Sequence, residues 1–238
     1  LRPASENSSS KSALEFFDFK LLVTLNFCLT LSLVMQEVLV SYELYRVTKD
    51  PMTLGFIGLA VALPYISVTL LGGHYADRKN KKYIMGYALC CLFIMSVFFV
   101  LMFSTIGNQW LNLSHKIFFI YLFFGVSGLA RGFYQPAASA LRPYLIPRHL
   151  YGNGSTWNSS AWQLGSIMGS IVAGFSYAQF GLVPSLICAS IFSITAILSL
   201  LLIKNSAKPK ESITKLNENI WLSIKEGFRF VRYNKILL

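Results

Sequence analysis

Two stretches of this chain carry no Asp, Glu, Lys or Arg at all. One is the 33 residues between Lys82 and Lys116, and the other is the 54 residues from Leu150 to Ile203. Soluble folds scatter charge every few residues to keep their surfaces hydrated. A hydrocarbon environment excludes charge, because a buried charge or an unpaired backbone group is expensive there. The chain is therefore expected to be an all-α integral membrane protein. The few charges inside its apolar runs become the candidates for function. Composition agrees: 54% of residues are hydrophobic and 13% charged, against about 25% charged in globular domains.

The formal net charge of +11 invites a nucleic-acid partner. The placement of the cations argues against one, since they cluster at the ends of apolar runs, as membrane topology requires. Cys28, Cys90, Cys91 and Cys188 all lie in apolar stretches without metal-ligand spacing, so no metal site, cofactor or disulfide framework is expected. The first apolar run is too long for a signal peptide and has no small-residue cleavage site.

A transmembrane helix needs about 20 apolar residues. Six candidates meet that length: Phe19–Tyr45, Thr53–Leu71, Tyr83–Phe103, Ile117–Leu141, Asn153–Tyr177 and Val183–Ile203. Turn chemistry separates them at Asp50-Pro51, Gly107-Asn108, Pro143 with Pro147, and Gly181 to Pro184. Residues 1–15 are polar and Ser-rich and are expected to form a disordered cytoplasmic tail. Residues 16–204 are the six-helix bundle. In 205–238, Ile213, Leu216, Ile220, Trp221, Ile224, Phe228 and Val231 recur at helical spacing, with Lys215, Glu218, Lys225 and Arg229 between them. That pattern predicts an amphipathic linker helix on the inner membrane surface. Ile236 to Leu238 reads as the opening of a seventh span, so a fragment of a longer protein is expected.

Orientation follows from Lys and Arg. With the N-terminus cytoplasmic, inside segments hold 17 of the 21 cations and the outside loops hold Arg46, Lys49 and Lys116. The remaining cation, Arg131, lies within the fourth span. Asn7, Asn112, Asn153 and Asn158 each open an Asn-x-Ser triplet, which is read as chance.

The connection after the second span runs from Gly72 through Gly73, Asp77, Arg78, Lys79, Asn80 and Lys81 to Lys82. It resembles the signature G-x-x-x-D-R-x-G-[RK]-[RK] of the major facilitator superfamily, matching at Gly73, Asp77, Arg78, Lys81 and Lys82. Asn80 stands where that family has Gly, and Asn tolerates the left-handed backbone. Tyr42 to Pro51 followed by Leu54-Gly55, Gly128 to Ala137, and Asn158 to Gln163 are similar to the drug and siderophore exporter branch, which includes enterobactin and macrolide exporters. The similarity covers nearly all of residues 16–238. Gly165, Gly169 and Gly174 resemble the antiporter motif G-x-x-x-G-P-x-x-G-G, but Ser170 and Ala173 depart from it. Small residues for helix packing account for these glycines equally well.

The resemblance implies the N-terminal six-helix bundle of a twelve-helix transporter, a missing C-terminal half, and alternating access around a site near mid-membrane. Gly73, Asp77, Arg78, Lys81 and Lys82 would then form a conformational latch.

Glu37 is a carboxylate deep in the first span, beside Gln36. It is a candidate for proton coupling because burial favours its neutral form, the alternative being a hydrated group near the outer interface. Arg131 cannot shed its proton, so it needs a partner or water. It is a candidate for substrate binding, the alternative being a carbonyl or lipid phosphate partner. At about 1.5 Å rise per residue, Glu37 lies about 27 Å from Phe19 and Arg131 about 21 Å from Ile117. In a core of about 30 Å, the two are expected at different depths. Asn26, Gln36, Gln135, Asn158 and Gln163, with Tyr134, Trp157 and Trp162 as aromatic walls, complete the candidate substrate lining.

The expected function is secondary active transport: proton-coupled export of a small amphiphilic compound across the cell's inner (plasma) membrane. The expected partners are the bilayer, the small solute, a proton or other ion gradient, and no nucleic acid. An importer or a non-transporting receptor or scaffold is the alternative. No enzyme is expected, since His74, His115 and His149 lie at span ends with no acid–base or ligand pattern around them.

Overall fold

The computed structural model describes residues 12–78, 80–110 and 112–204, with the backbone alone at 70–78, 106, 108 and 110. These residues belong to one compact unit. The amphipathic linker and seventh-span opening expected in 205–238, and residues 1–11 of the tail, lie outside the described residues.

The described residues form six long α-helices and one short one. They are α1 (Phe17–Thr48), α2 (Met52–Arg78), α3 (Lys81–Phe103), α4 (Thr105–Trp110), α5 (Leu113–Leu141), α6 (Tyr151–Phe180) and α7 (Leu182–Leu202). The long helices match the six expected spans and run a few residues past most apolar ends, because the terminal turns leave hydrocarbon without ceasing to be helical. The expected loop at 104–116 contains α4. Five of the long helices are apolar enough to cross a membrane by length and composition. Helix α6 falls short of that measure because Gly, Ser, Asn and Gln interrupt it, and its packing explains why.

The breaks have identifiable causes. Lys49 takes the left-handed conformation (φ 56°) after α1, and its N–H donates to the Tyr45 carbonyl at 2.8 Å. Asp50 Oδ1 accepts from Met52 N–H at 2.9 Å to open α2. Asn80 was expected to exploit left-handed backbone, but it sits at φ −65° and caps α3, its Oδ1 accepting from Lys82 N–H at 3.0 Å. Capping accounts for Asn there without any unusual backbone. Gly181, at φ 79°, makes the one-residue turn from α6 into α7. The tail is ordered from Ser12 onward: Ser12 and Glu15 form a capping box around the short turn Ala13–Glu15. Ala13 is fully buried, and its N–H donates to Asn153 Oδ1 at 2.9 Å.

Helix α2 packs along α5, α1 along α6 and α7, and α3 along α5 and α7. Glycine makes the closest seams possible. A methyl added at Gly128 would run into the Val61 carbonyl, and one at Gly132 would lie 3.1 Å from the Tyr65 carbonyl. On α6, a methyl at Gly165 or Gly169 would lie 2.9 Å from the Phe27 or Leu31 carbonyl of α1, whereas Gly174 faces open space. Two of the three glycines of the degenerate motif are thus packing residues, which is why α6 is less apolar than its neighbours.

Serines tie the interior together. Ser96 bonds Ser190 across α3 and α7 at 2.7 Å, and Ser32 bonds the Ala189 carbonyl and Ser193 across α1 and α7, each at 2.7 Å. The outer surface is apolar, with Leu63, Ile66, Ile171, Phe175, Leu198 and Leu201 all exposed. Such a surface suits a lipid surround.

The cationic segments collect at one end of the bundle. Lys82 Nζ donates to the Ile203 carbonyl at 2.6 Å, Lys81 lies over the Tyr144 ring, and the Lys204 N–H reaches Asp18 at 3.2 Å. At the other end Glu43 holds Arg46 at 2.7 Å and accepts from Tyr177 at 3.2 Å.

Candidate functional site

Four helices each turn one edge toward a shared cavity of about 480 Å³. Helix α1 contributes Asn26, Thr30, Val34 and Glu37, α2 contributes Val61, Ala62 and Tyr65, α5 contributes Arg131, Tyr134 and Gln135 with Arg142 as its C-cap, and α6 contributes Asn158, Trp162 and Ser166. The spacings of three, four and seven residues within each set are those of one helical face. The glycine seams described above hold α2 against α5 and α6 against α1, so the four edges sit on two tightly packed helix pairs.

Two polar clusters occupy this cavity. In the first, Arg131 Nη1 lies 3.8 Å from Glu37 Oε2. A well-formed charged hydrogen bond is about 2.7–2.9 Å, so this pair attracts without closing. Glu37 keeps 42% of its side-chain surface exposed and Arg131 keeps 24%, while Arg131 Nε is buried without a hydrogen-bond partner. The expectation of different depths is corrected here: the two groups meet. In the second cluster, Asn26 is the hub. Its Nδ2 donates to Asn158 Oδ1 at 2.6 Å, and its Oδ1 accepts from the Tyr134 hydroxyl. This joins α1, α5 and α6 by side chains alone. Farther along α5, Arg142 Nη2 donates to Ser139 Oγ at 2.9 Å, and its Nε is buried without a partner.

The arrangement gathers Glu37, Arg131, Asn26, Gln135, Asn158 and Trp162 from the sequence candidates. It does not gather three others. Gln36 is 4% exposed and donates to Ser32 Oγ at 2.9 Å, so it belongs to the α1–α7 seam. Gln36 does not line the cavity that Glu37 lines. Trp157 is 41% exposed but does not line the cavity. Gln163 lies in a shallow groove with Ser155, Thr156, Ser159 and Ser160 on another face of α6.

Of the latch candidates, Gly73, Asp77 and Arg78 end α2, where only the backbone is described. Lys81 and Lys82 open α3 with the roles given above: a buried cation on an aromatic ring, and a cap on the carbonyls of α7. Of the cavity residues absent from the sequence candidates, Tyr65 and Arg142 carry ionisable groups. Tyr65 follows the Pro64 kink position of α2 and had no flanking signal. Arg142 had one, since it lies eleven residues after Arg131, three helical turns on the same face.

The site therefore combines one carboxylate, two guanidinium groups, an amide–phenol network and apolar walls, open enough to admit a small molecule. A family model described as Major Facilitator Superfamily matches residues 22–238. No curated protein matches the chain.

Proposed function

The chain belongs to the major facilitator superfamily of membrane transporters, and from that premise we propose that it is a proton-coupled secondary transporter for a small amphiphilic compound. The observation that carries the proposal is the open Glu37–Arg131 pair at 3.8 Å on the wall of a mixed polar and apolar cavity. A carboxylate this loosely held can exchange its arginine for a proton, and neutralising it changes what the arginine faces. Asn26, Gln135, Asn158 and Trp162 supply hydrogen bonds and an aromatic wall for the solute. The Gly73–Asp77–Arg78 segment acts as the latch between alternating states, with a second six-helix bundle closing the cavity from the other side. Export is the proposed direction. It is supported by the likeness of Tyr42 to Pro51 and Gly128 to Ala137 to the drug and siderophore exporter branch. The N-terminus lies on the cytoplasmic side of the plasma membrane, as the one-sided distribution of cations supports.

The test is proton flux in vesicles. The full chain is reconstituted with a pH-sensitive dye inside, a proton gradient is imposed, and a panel of amphiphilic solutes is added. Solute-dependent proton movement that Glu37→Gln abolishes is the expected result. No solute-dependent flux with any panel member, or full flux in Glu37→Gln, refutes proton coupling through Glu37. A protein that binds solute but moves neither solute nor protons is a receptor or scaffold instead.

A further inference from the structure

The cavity carries more positive than negative charge, and the excess has a location. Its lining holds two guanidinium groups, Arg131 and Arg142, and one carboxylate, Glu37. Glu37 lies against Arg131, while among the described side chains no carboxylate lies within ion-pair distance of Arg142. The carbonyls at the α5 C-terminus offset about half a unit charge beside Arg142, which leaves the lining positive. Both arginines also bury an Nε with no hydrogen-bond partner. Buried donors are almost always satisfied, so neither guanidinium is saturated by the described residues around it. Arg131 and Arg142 share a face of α5, with Gln135 and Ala138 between them and Val34, Val61, Ala62 and Trp162 nearby to cover an apolar body.

We infer that the compound this cavity takes is an organic anion, a carboxylate or phosphate on an apolar frame, with Arg142 as its principal anchor. This rests on the transporter reading above and narrows it. Arg142 fits the role because no carboxylate among the described side chains opposes its charge, whereas an anion at Arg131 must compete with Glu37. Neutralising Glu37 therefore aids the anion.

The experiment is equilibrium binding without any gradient, so that it can fail independently of transport. The full chain in phosphatidylcholine nanodiscs is titrated with 2-naphthoate and with the matched cation 2-naphthylmethylammonium. Naphthoate is expected to bind at least about tenfold tighter, the scale of one charged hydrogen bond. Arg142→Gln should remove that preference, Arg142→Lys should keep most of it, and Glu37→Gln should leave naphthoate binding equal or tighter. Equal binding of the two probes overturns the inference, as does an unaffected Arg142→Gln or a loss in Glu37→Gln as large as that in Arg142→Gln. Repeating the titration with phosphatidylglycerol in the nanodisc separates the sources of anion. If that lipid abolishes naphthoate binding, Arg142 is a head-group site and the inference falls. If neither probe binds while solute-dependent proton flux persists, the anion inference fails and the transporter reading stands.

Discussion

Replacing Gly165 with Ala places one methyl group on the seam that aligns the cavity. The new Cβ would stand 2.9 Å from the Phe27 carbonyl oxygen, where ordinary contact begins at 3.4 Å. Helices α1 and α6 must therefore part by about 0.5 Å, because the obstacle is backbone and cannot rotate away. Overpacking of this kind costs about 1–3 kcal/mol, offset by about 1 kcal/mol of helix propensity that Ala regains over Gly. Gly174→Ala is the matched control, since nothing lies within 4 Å of its added methyl and only the propensity gain applies. The two variants should differ by the overpacking term alone, about 1–3 kcal/mol in favour of Gly174→Ala. On the scale of about 2–4 °C per kcal/mol for domains of this size, thermal unfolding in detergent should separate them by at least about 2 °C. Gly169→Ala meets the Leu31 carbonyl at the same 2.9 Å on the same seam. One separation relieves both clashes, so the double variant should lose less than the sum of the singles. The same movement stretches the Asn26–Asn158 bond from 2.6 Å to about 3.1 Å, near the end of the useful range, so solute affinity should fall along with stability. Equal stability of Gly165→Ala and Gly174→Ala, or strict additivity in the double variant, would refute the close-seam reasoning.

Other substitutions probe the rest of the bundle. Trp162→Ala should weaken solute binding and Trp157→Ala should not, since only Trp162 lines the cavity; equal losses in a fluorescence titration would show that the cavity boundary is misplaced. Lys82→Met removes the side chain that accepts the load of the Ile203 and Leu201 carbonyls, at 2.6 and 3.3 Å. Faster amide exchange at the last turn of α7 is expected, at a cost of about 0.3–1 kcal/mol. Ser32→Ala strands both Gln36 and Ser193. It should destabilise the bundle more than Ser96→Ala, which strands one hydroxyl that still bonds the Leu186 carbonyl. Differences within the range of about 0.6–1.7 kcal/mol typical of membrane side-chain bonds are measurable by unfolding in mixed micelles.

The helices were legible because hydrocarbon leaves the chain no alternative. A span must be apolar and continuous, and the residues that stop it are conspicuous at Asp50-Pro51 and Gly181. The faces were far less legible. In water a helix declares its buried side by contrast with a polar one, whereas these helices are apolar on both the lipid side and the packed side, so Gln36 and Glu37 looked alike. The polar residues nevertheless held a usable signal. Asn26, Thr30 and Glu37 fall on one edge of α1, Arg131, Gln135 and Arg142 on one edge of α5, and Asn158, Trp162 and Ser166 on one edge of α6. Asking which polar residues share an edge, rather than which are polar, excludes Gln36, Trp157 and Gln163 and brings in Arg142.

Depth was lost for a different reason. Measuring Glu37 from Phe19 and Arg131 from Ile117 treats the ends of apolar runs as level with the two membrane faces, and it sets the groups about 18 Å apart along the normal. The structure gives a better ruler. Val47 and Leu113 line one groove, with Glu43 and Arg46, at one end of the bundle, so α1 and α5 can be counted from Thr48 and Leu113. Glu37 is then about 16 Å in and Arg131 about 27 Å in. Helix tilt and the long arginine stem take up the remaining 11 Å or so, and the stem points back toward the helix N-terminus, as side chains on a helix do. On α5 the N-terminal end is the one at that groove, which is the direction of Glu37. An Asp or Ser at position 131 would stay near its own backbone level, out of reach of Glu37. The pair depends on arginine's length as much as on its charge, and that is why counting residues from span ends could not reveal it.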